Sequence, residues 1–178
     1  MRCLTAVEFC SFPIQLLQPL TYMQVTLQLA AIPDLPHLVS MMSELQKDDP
    51  WSIPFARAAV ENAVGQLLRD TSLGRVWLIE ADKQVAGYIV MCFDYSLEYG
   101  GRGAWVDEFF VRPSHRGRGI GSQVLDLFLE QAKAVGVTTV HLEVNHDNPA
   151  IELYRRKGFE DHHRYLMTKW ITNKPPVS

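Results

Sequence analysis

The chain has 178 residues, 47% of them hydrophobic and 21% charged, with 17 basic against 20 acidic side chains and a formal net charge of −3. That length suits one domain with a full-sized core, and fractions so near the globular average exclude disorder, collagen-like repeats and a charged tail. An acidic balance argues against a partner bound through backbone phosphates, so no nucleic acid is expected.

Three cysteines (Cys3, Cys10 and Cys92) cannot close a disulfide framework and lack metal-binding spacing, which points to a reducing, cytoplasmic setting. Residues 1–22 are partly apolar, but Glu8 interrupts the run, Pro13 breaks it, and no small-residue cleavage site follows. The stretch is too short and broken to span a bilayer, and no membrane partner is expected. It reads as a leader or start-site extension, expected to be disordered, ahead of a domain over 23–172 and a tail over 173–178.

From Met23 onward strand and helix signals alternate. Val25, Leu27 and Leu29 give a period-two strand, and Pro33 and Asp34 open a helix whose face is Leu35, Leu38, Val39, Met42 and Leu45. A polar loop over 47–54 separates it from a second amphipathic helix carrying Val60, Val64, Leu67 and Leu68. Strands over 75–81 and 84–93 meet at the turn Asp82-Lys83; a glycine-rich connection over 96–103 leads to a strand over 104–111, ended by Pro113. A long helix shows Ile120, Val124, Leu127, Phe128, Ala132 and Val135 on one face, with Gly136 as its stop. A strand over 137–144, a short helix capped by Asn148 and closed by Gly158, and last strands over 159–171 complete the chain. The order β-α-α-β-β-β-α-β-α-β predicts a mixed α/β domain around one sheet.

The stretch from Val111 to Ser122 carries the most chemistry. Gly117, Gly119 and Gly121 lie at alternate positions between a strand end and a helix start, where backbone without Cβ atoms can approach a ligand and aim N–H groups at one point. The helix N-terminus adds partial positive charge, and Arg116 and Arg118 add formal charge. Together they read as a pyrophosphate cradle; the bland alternative is a glycine-rich turn with two solvated arginines. A dinucleotide site would need a third glycine where Ser122 stands, and repeated βαβ units that this order lacks.

In these residues the chain resembles the GCN5-related N-acetyltransferase (GNAT) superfamily. The family's acetyl-CoA loop, Arg/Gln-x-x-Gly-x-Gly/Ala, is matched by Arg116, Gly119 and Gly121. Its later pattern of Asn, Ala and Leu-Tyr-x-x-x-Gly-Phe is matched by Asn148, Ala150, Leu153, Tyr154, Gly158 and Phe159, with Asn148 one residue nearer the tyrosine than in many members. The resemblance covers residues 24–171. It implies a mostly antiparallel central sheet flanked by helices, with a bulge at the strand before the loop splaying it from the strand over 137–144 to form the acetyl-CoA slot. It also implies that Phe109, Phe110 and Val111 bind the pantetheine arm through their backbone. Arg116, Gly117, Arg118, Gly119, Ile120, Gly121 and Ser122 would hold the pyrophosphate, and Asn148 would contact the cofactor.

The implied reaction moves acetyl from acetyl-CoA to a primary amine, directly within a ternary complex. An alkylamine is mostly protonated at neutral pH, so a base must take a proton, and the departing thiolate benefits from a donor. The resemblance makes Tyr154 the general acid; a buried tyrosine with a satisfied hydroxyl is the alternative. Asp107 and Glu108 are the base candidates, adjacent on a strand and so expected on opposite faces, with Asp107 sharing parity with Phe109 and Val111. Asp107 is slightly favoured, as a base through water or as an anchor for a cationic amine. A solvated acidic pair, or salt bridges to Arg102 or Arg112, is the structural alternative.

Cys92 sits in an apolar strand and reads as a packed small hydrophobe, not an acyl carrier. His141, Glu143, His162 and His163 lack a third ligand at chelating spacing; the histidines read as surface residues and no metal is expected. Asp94, Glu98, Asp107 and Glu108 form an acidic rim that favours a small cationic amine as partner. A protein N-terminus or lysine stays open as acceptor, and so does a non-catalytic acyl-CoA-binding module. The apolar leader and terminal strands are the candidate surfaces for a homodimer.

Overall fold

The computed structural model describes residues 23–48 and 54–171; the leader with Cys3 and Cys10, and the tail, lie outside the described residues. Five strands form one sheet in the order β1 (Val25–Leu29), β2 (Gly74–Ala81), β3 (Gln84–Ser96), β4 (Gly101–Val111) and β5 (Thr139–Leu142). Neighbours are antiparallel except β4 and β5, which run parallel. Helices α1 (Leu35–Asp48) and α2 (Arg57–Arg69) precede β2, α3 (Ile120–Ala134) crosses from β4 to β5, and α4 (Ile151–Arg156) follows.

Alternation along β2 and β3 explains why helices cover both faces. Val76, Leu78, Tyr88, Val90 and Phe110 face one way and pack on Leu38, Val39, Met41, Val60 and Val64 of α1 and α2. Trp77, Ile79, Ile89, Met91, Ala104 and Val106 face the other way, onto Val124, Leu125 and Phe128 of α3. Strands buried on both sides read as unbroken apolar runs, as these two do. The Asp82-Lys83 turn holds both residues at positive φ, 50° and 67°, and pairs Ala81 with Gln84, the two-residue hairpin that matches strand twist.

Three expectations change. β4 begins at Gly101, inside the expected connection, and β5 is shorter than 137–144. The expected strands over 159–171 do not form among the described residues. There Asp161 accepts the His163 N–H at 2.7 Å and His163 takes φ 50°, a local turn that interrupts any extended run. Arg164 then reaches back to both oxygens of Glu98, at 2.9 and 3.0 Å.

The third change fixes the site. Val106 pairs with Met91 and Glu108 pairs with Val90, so Asp107 is an extra residue, a β-bulge. The bulge reverses side-chain parity: Ala104 and Val106 face α3, and beyond it Phe109 and Val111 face α3 while Phe110 faces α1 and α2.

Candidate functional site

Pairing between β4 and β5 runs from Gly103–Thr139 to Val106–Leu142 and stops there, at the bulge. Beyond it the two strands part. Backbone groups of Phe109, Phe110 and Val111 pair with β3 on one side and border the opening on the other. An open groove of about 2350 Å³ follows this opening, lined by Asp107, Phe109, Gly119, Asn148 and Tyr154 among others.

At one end lies the glycine loop. Gly117 and Gly119 hold φ of 72° and 78°, and a Cβ on either would meet nothing within 4 Å, so the space above them is open. Gly119 is the N-cap of α3, and the first bond of the helix ladder is Gln123 N–H to the Gly119 carbonyl at 3.3 Å. The amides of Ile120, Gly121 and Ser122 precede that ladder and are free of intrahelical partners, as helix geometry requires. Gly121 does a different job: a Cβ there would stand 3.1 Å from Leu153 Cδ2 and 3.7 Å from Phe109 Cζ, so its absence lets β4, α3 and α4 close together. Room, positive φ and unspent amides suit a phosphate group.

The arginines contribute less bare charge than their sequence position suggests. Arg116 Nε donates to the Val111 carbonyl and Nη2 to Asp48, both at 2.7 Å. Arg118 Nη2 stands 3.8 Å from Asp82. Asn148 lies outside α4, whose N-cap is Ala150; its Oδ1 accepts the Ala150 N–H at 2.9 Å and shapes the turn into the helix.

Asp107 and Glu108 do not lie on opposite faces. The bulge leaves both on the α1–α2 side, and the parity expected of Asp107 with Phe109 and Val111 is lost. Asp107 hydrogen-bonds the Cys92 thiol, and Glu108 Oε2 accepts the Tyr88 O–H at 2.7 Å. Burial pushes the Glu108 carboxyl up to about 7; the Tyr88 hydrogen bond pulls it down, and Asp107 adds a smaller upward push. Asp107 keeps an exposed side, yet the protein around it also raises its carboxyl, against the Cys92 bond. Cys92 is pushed up to about 12 by burial first and by Asp107 next, so its thiol stays protonated. Neither Arg102 nor Arg112 is spent on the acidic pair. Arg102 lies 3.7 Å over the Phe93 ring, and Arg112 stands 3.5 Å from Glu44.

Tyr154, on α4, belongs to the opposite side: it packs against the α3-face core and meets Phe159 edge-on at 5.9 Å. The candidate acid and the candidate bases therefore flank the opening from its two sides.

The sequence reading missed the wall beyond Cys92. His141 is not a plain surface residue: it is half-buried, 4.9 Å from the Tyr99 ring and 5.3 Å from Trp105. Trp105 Nε1 donates to Asp94 Oδ2 at 3.2 Å. The expected acidic rim is thus partly spent, Asp94 on Trp105 and Glu98 on Arg164. No signal in the sequence pairs residues so distant. Among the described residues no group of three or more His, Cys, Asp or Glu side chains is placed to hold a metal ion, and no helix is long and apolar enough to cross a membrane.

An α/β sheet whose parallel pair, β4 and β5, parts at a bulge, with a glycine loop at a helix N-terminus beside it, defines an acetyltransferase-type domain. The acetyltransferase (GNAT) family model matches residues 38–159, and the chain belongs to that family. An integron cassette protein from the mobile metagenome of Cole Harbour Salt Marsh is 35% identical with a TM-score of 0.72, over 85% of this chain and 92% of that one. The thialysine N-epsilon-acetyltransferase of Bos taurus is 33% identical over 78 residues, 43% of this chain and 45% of that one. The matched stretch spans half or less of the curated relatives. A predicted acetyltransferase of Clostridium acetobutylicum, solved with acetyl-CoA, shares the fold at 19% identity and a TM-score of 0.70, over 82% of this chain and 96% of that one.

Proposed function

We propose that this acetyltransferase uses acetyl-CoA to acetylate the primary amine of a small cationic acceptor, by direct transfer in a ternary complex. The observation that carries the reading is the placement of Tyr154 and the Asp107–Glu108 pair on opposite sides of one strand opening. Acetyl-CoA supplies an activated thioester carbonyl. Amides of residues 117–122 hold its phosphates, and backbone of Phe109–Val111 lies along its pantetheine arm.

The acceptor nitrogen forms the new C–N bond as the C–S bond breaks. Glu108, poised near neutrality, takes the amine proton through water, and the Tyr154 phenol gives a proton to the leaving sulfur. Glu108 replaces Asp107 as the preferred base, because a base titrating near the working pH combines availability with proton affinity. Asp107, exposed beside it, anchors the cationic acceptor.

The test is acetyl-CoA-dependent thiol release over polyamines, amino acids including thialysine, arylalkylamines, aminoglycosides and short peptides. Response by a cationic aliphatic amine, lost in Glu108→Gln, is the expected result. Response only from peptides overturns the small acceptor. A flat panel with acetyl-CoA still bound overturns amine transfer in favour of a non-catalytic module.

A further inference from the structure

Tyr88 is fully buried, first by volume among the fully buried side chains, on a strand whose neighbours Ala86, Ile89, Val90 and Met91 are all apolar. A phenol in such a setting must find a partner for its hydroxyl, since an unmet buried donor is costly. The partner is Glu108, at 2.7 Å from Tyr88 O–H to Oε2. Register makes the contact diagonal: Tyr88 is paired with Phe110, and Glu108 with Val90. A regular β4 would put Glu108 on the α3 face with Ala104 and Val106, so the bond exists only because Asp107 is bulged out.

We propose that Tyr88 is the positioning residue of the base, fixing Glu108 through Oε2 so that Oε1 serves the water that carries the amine proton. This rests on the reading of Glu108 as that base.

The direction of the hydrogen bond gives the role its chemistry. Burial, then the charge of Glu108, raise the Tyr88 phenol far above its ordinary range, so it keeps its proton and donates it to Oε2. A donor that never loses its proton favours the ionised carboxylate, the form a base needs, against the burial that favours the acid. The other groups acting on this carboxylate are Asp107 on β4 and Cys92 on β3; Glu44 on α1, which is paired with Arg112, acts on the Tyr88 phenol. From α2 come only apolar Val60 and Val64 among the buried side chains on this face. No cation touches Glu108 among these, so the phenol is the group that keeps it ionisable near neutrality.

The test follows the Glu108 carboxyl resonance in the 13C-glutamate-labelled full chain, identified by its loss in Glu108→Gln. Kinetics with the amine that responds best and with acetyl-CoA run alongside. In Tyr88→Phe the titration should move up by about one unit; this cuts the ionised fraction at pH 7 from about one half to about one tenth, so kcat/KM there should fall about fivefold with KM for acetyl-CoA unchanged. A 3-fluorotyrosine at position 88, a stronger donor of nearly the same shape, should move the titration down, and covers the case in which Tyr88→Phe fails to fold. An unmoved titration in both variants, with Glu108→Gln inactive, overturns the positioning role alone. Full turnover in Glu108→Gln overturns Glu108 as the base, whatever the titration of the Tyr88 variants.

Discussion

Gly119 tests the cradle in a way that separates strain from charge. It holds φ 78° at the N-cap of α3, and a Cβ built there meets nothing within 4 Å. Gly119→Ala therefore adds only the left-handed backbone penalty, about 1–2 kcal/mol of stability, and no clash. Gly119→Glu adds the same strain and a carboxylate in the space assigned to the pyrophosphate. Two like-charge pairs at about 4 Å cost about 2 kcal/mol in bulk water, and a single pair at an effective dielectric of 20 costs about 4. Converted, that is a rise in Kd for CoA of about 30-fold to several hundredfold. Isothermal titration of both variants with CoA, beside their thermal unfolding, measures the two effects separately. The variants should unfold alike while only the glutamate loses binding. A Kd for Gly119→Glu within about threefold of Gly119→Ala would place the phosphates elsewhere.

Tyr154→Phe should lower kcat by about 100-fold, the usual worth of a general acid, with CoA affinity unchanged; equal turnover would remove the acid role. Glu108 also makes stability depend on pH. Its folded carboxyl is raised to about 7 from an unfolded value of about 4.3, so its contribution is full below the lower value and is lost as pH rises through the upper one. Glu108→Gln should accordingly raise the melting temperature relative to the parent at pH 8 more than at pH 4.5, and a constant difference would refute the raised carboxyl. Phe128, fully buried and edge-on to Trp77 at 5.9 Å, should cost about 3–5 kcal/mol as Phe128→Ala in urea unfolding. A loss under about 1 kcal/mol would mean that this layer collapses freely.

Local chemistry was legible in the residues themselves. The unbroken apolar runs of β2 and β3, the hairpin at Asp82-Lys83 and the long apolar face of α3 are all patterns that neighbouring residues set. The glycine loop was legible for the same reason, because positive φ and a helix N-terminus are local properties. Other features were not. Whether residues 159–171 pair as strands depends on distant partners, and Asp161, His163 and the Arg164–Glu98 bridge decide against it there. Likewise Arg116 looks like a free phosphate ligand until Asp48, far away in sequence, is brought to it.

The division is clearest at Asp107 and Glu108. Their order in the sequence marked two carboxylates before a phosphate loop, and strict alternation placed them on opposite faces. One extra residue in β4 overrode that parity, because register is fixed by pairing with β3 and not by the strand alone. By itself the sequence determined most of the helices and strands before residue 159, where the glycine loop lies and which residue types could move protons. The tertiary structure decided which carboxylate is buried against a phenol, which arginines are already paired, and that Tyr154 and the Asp107–Glu108 pair lie on opposite sides of one opening. Those outcomes rest on contacts between residues far apart in the chain, which local preference cannot encode.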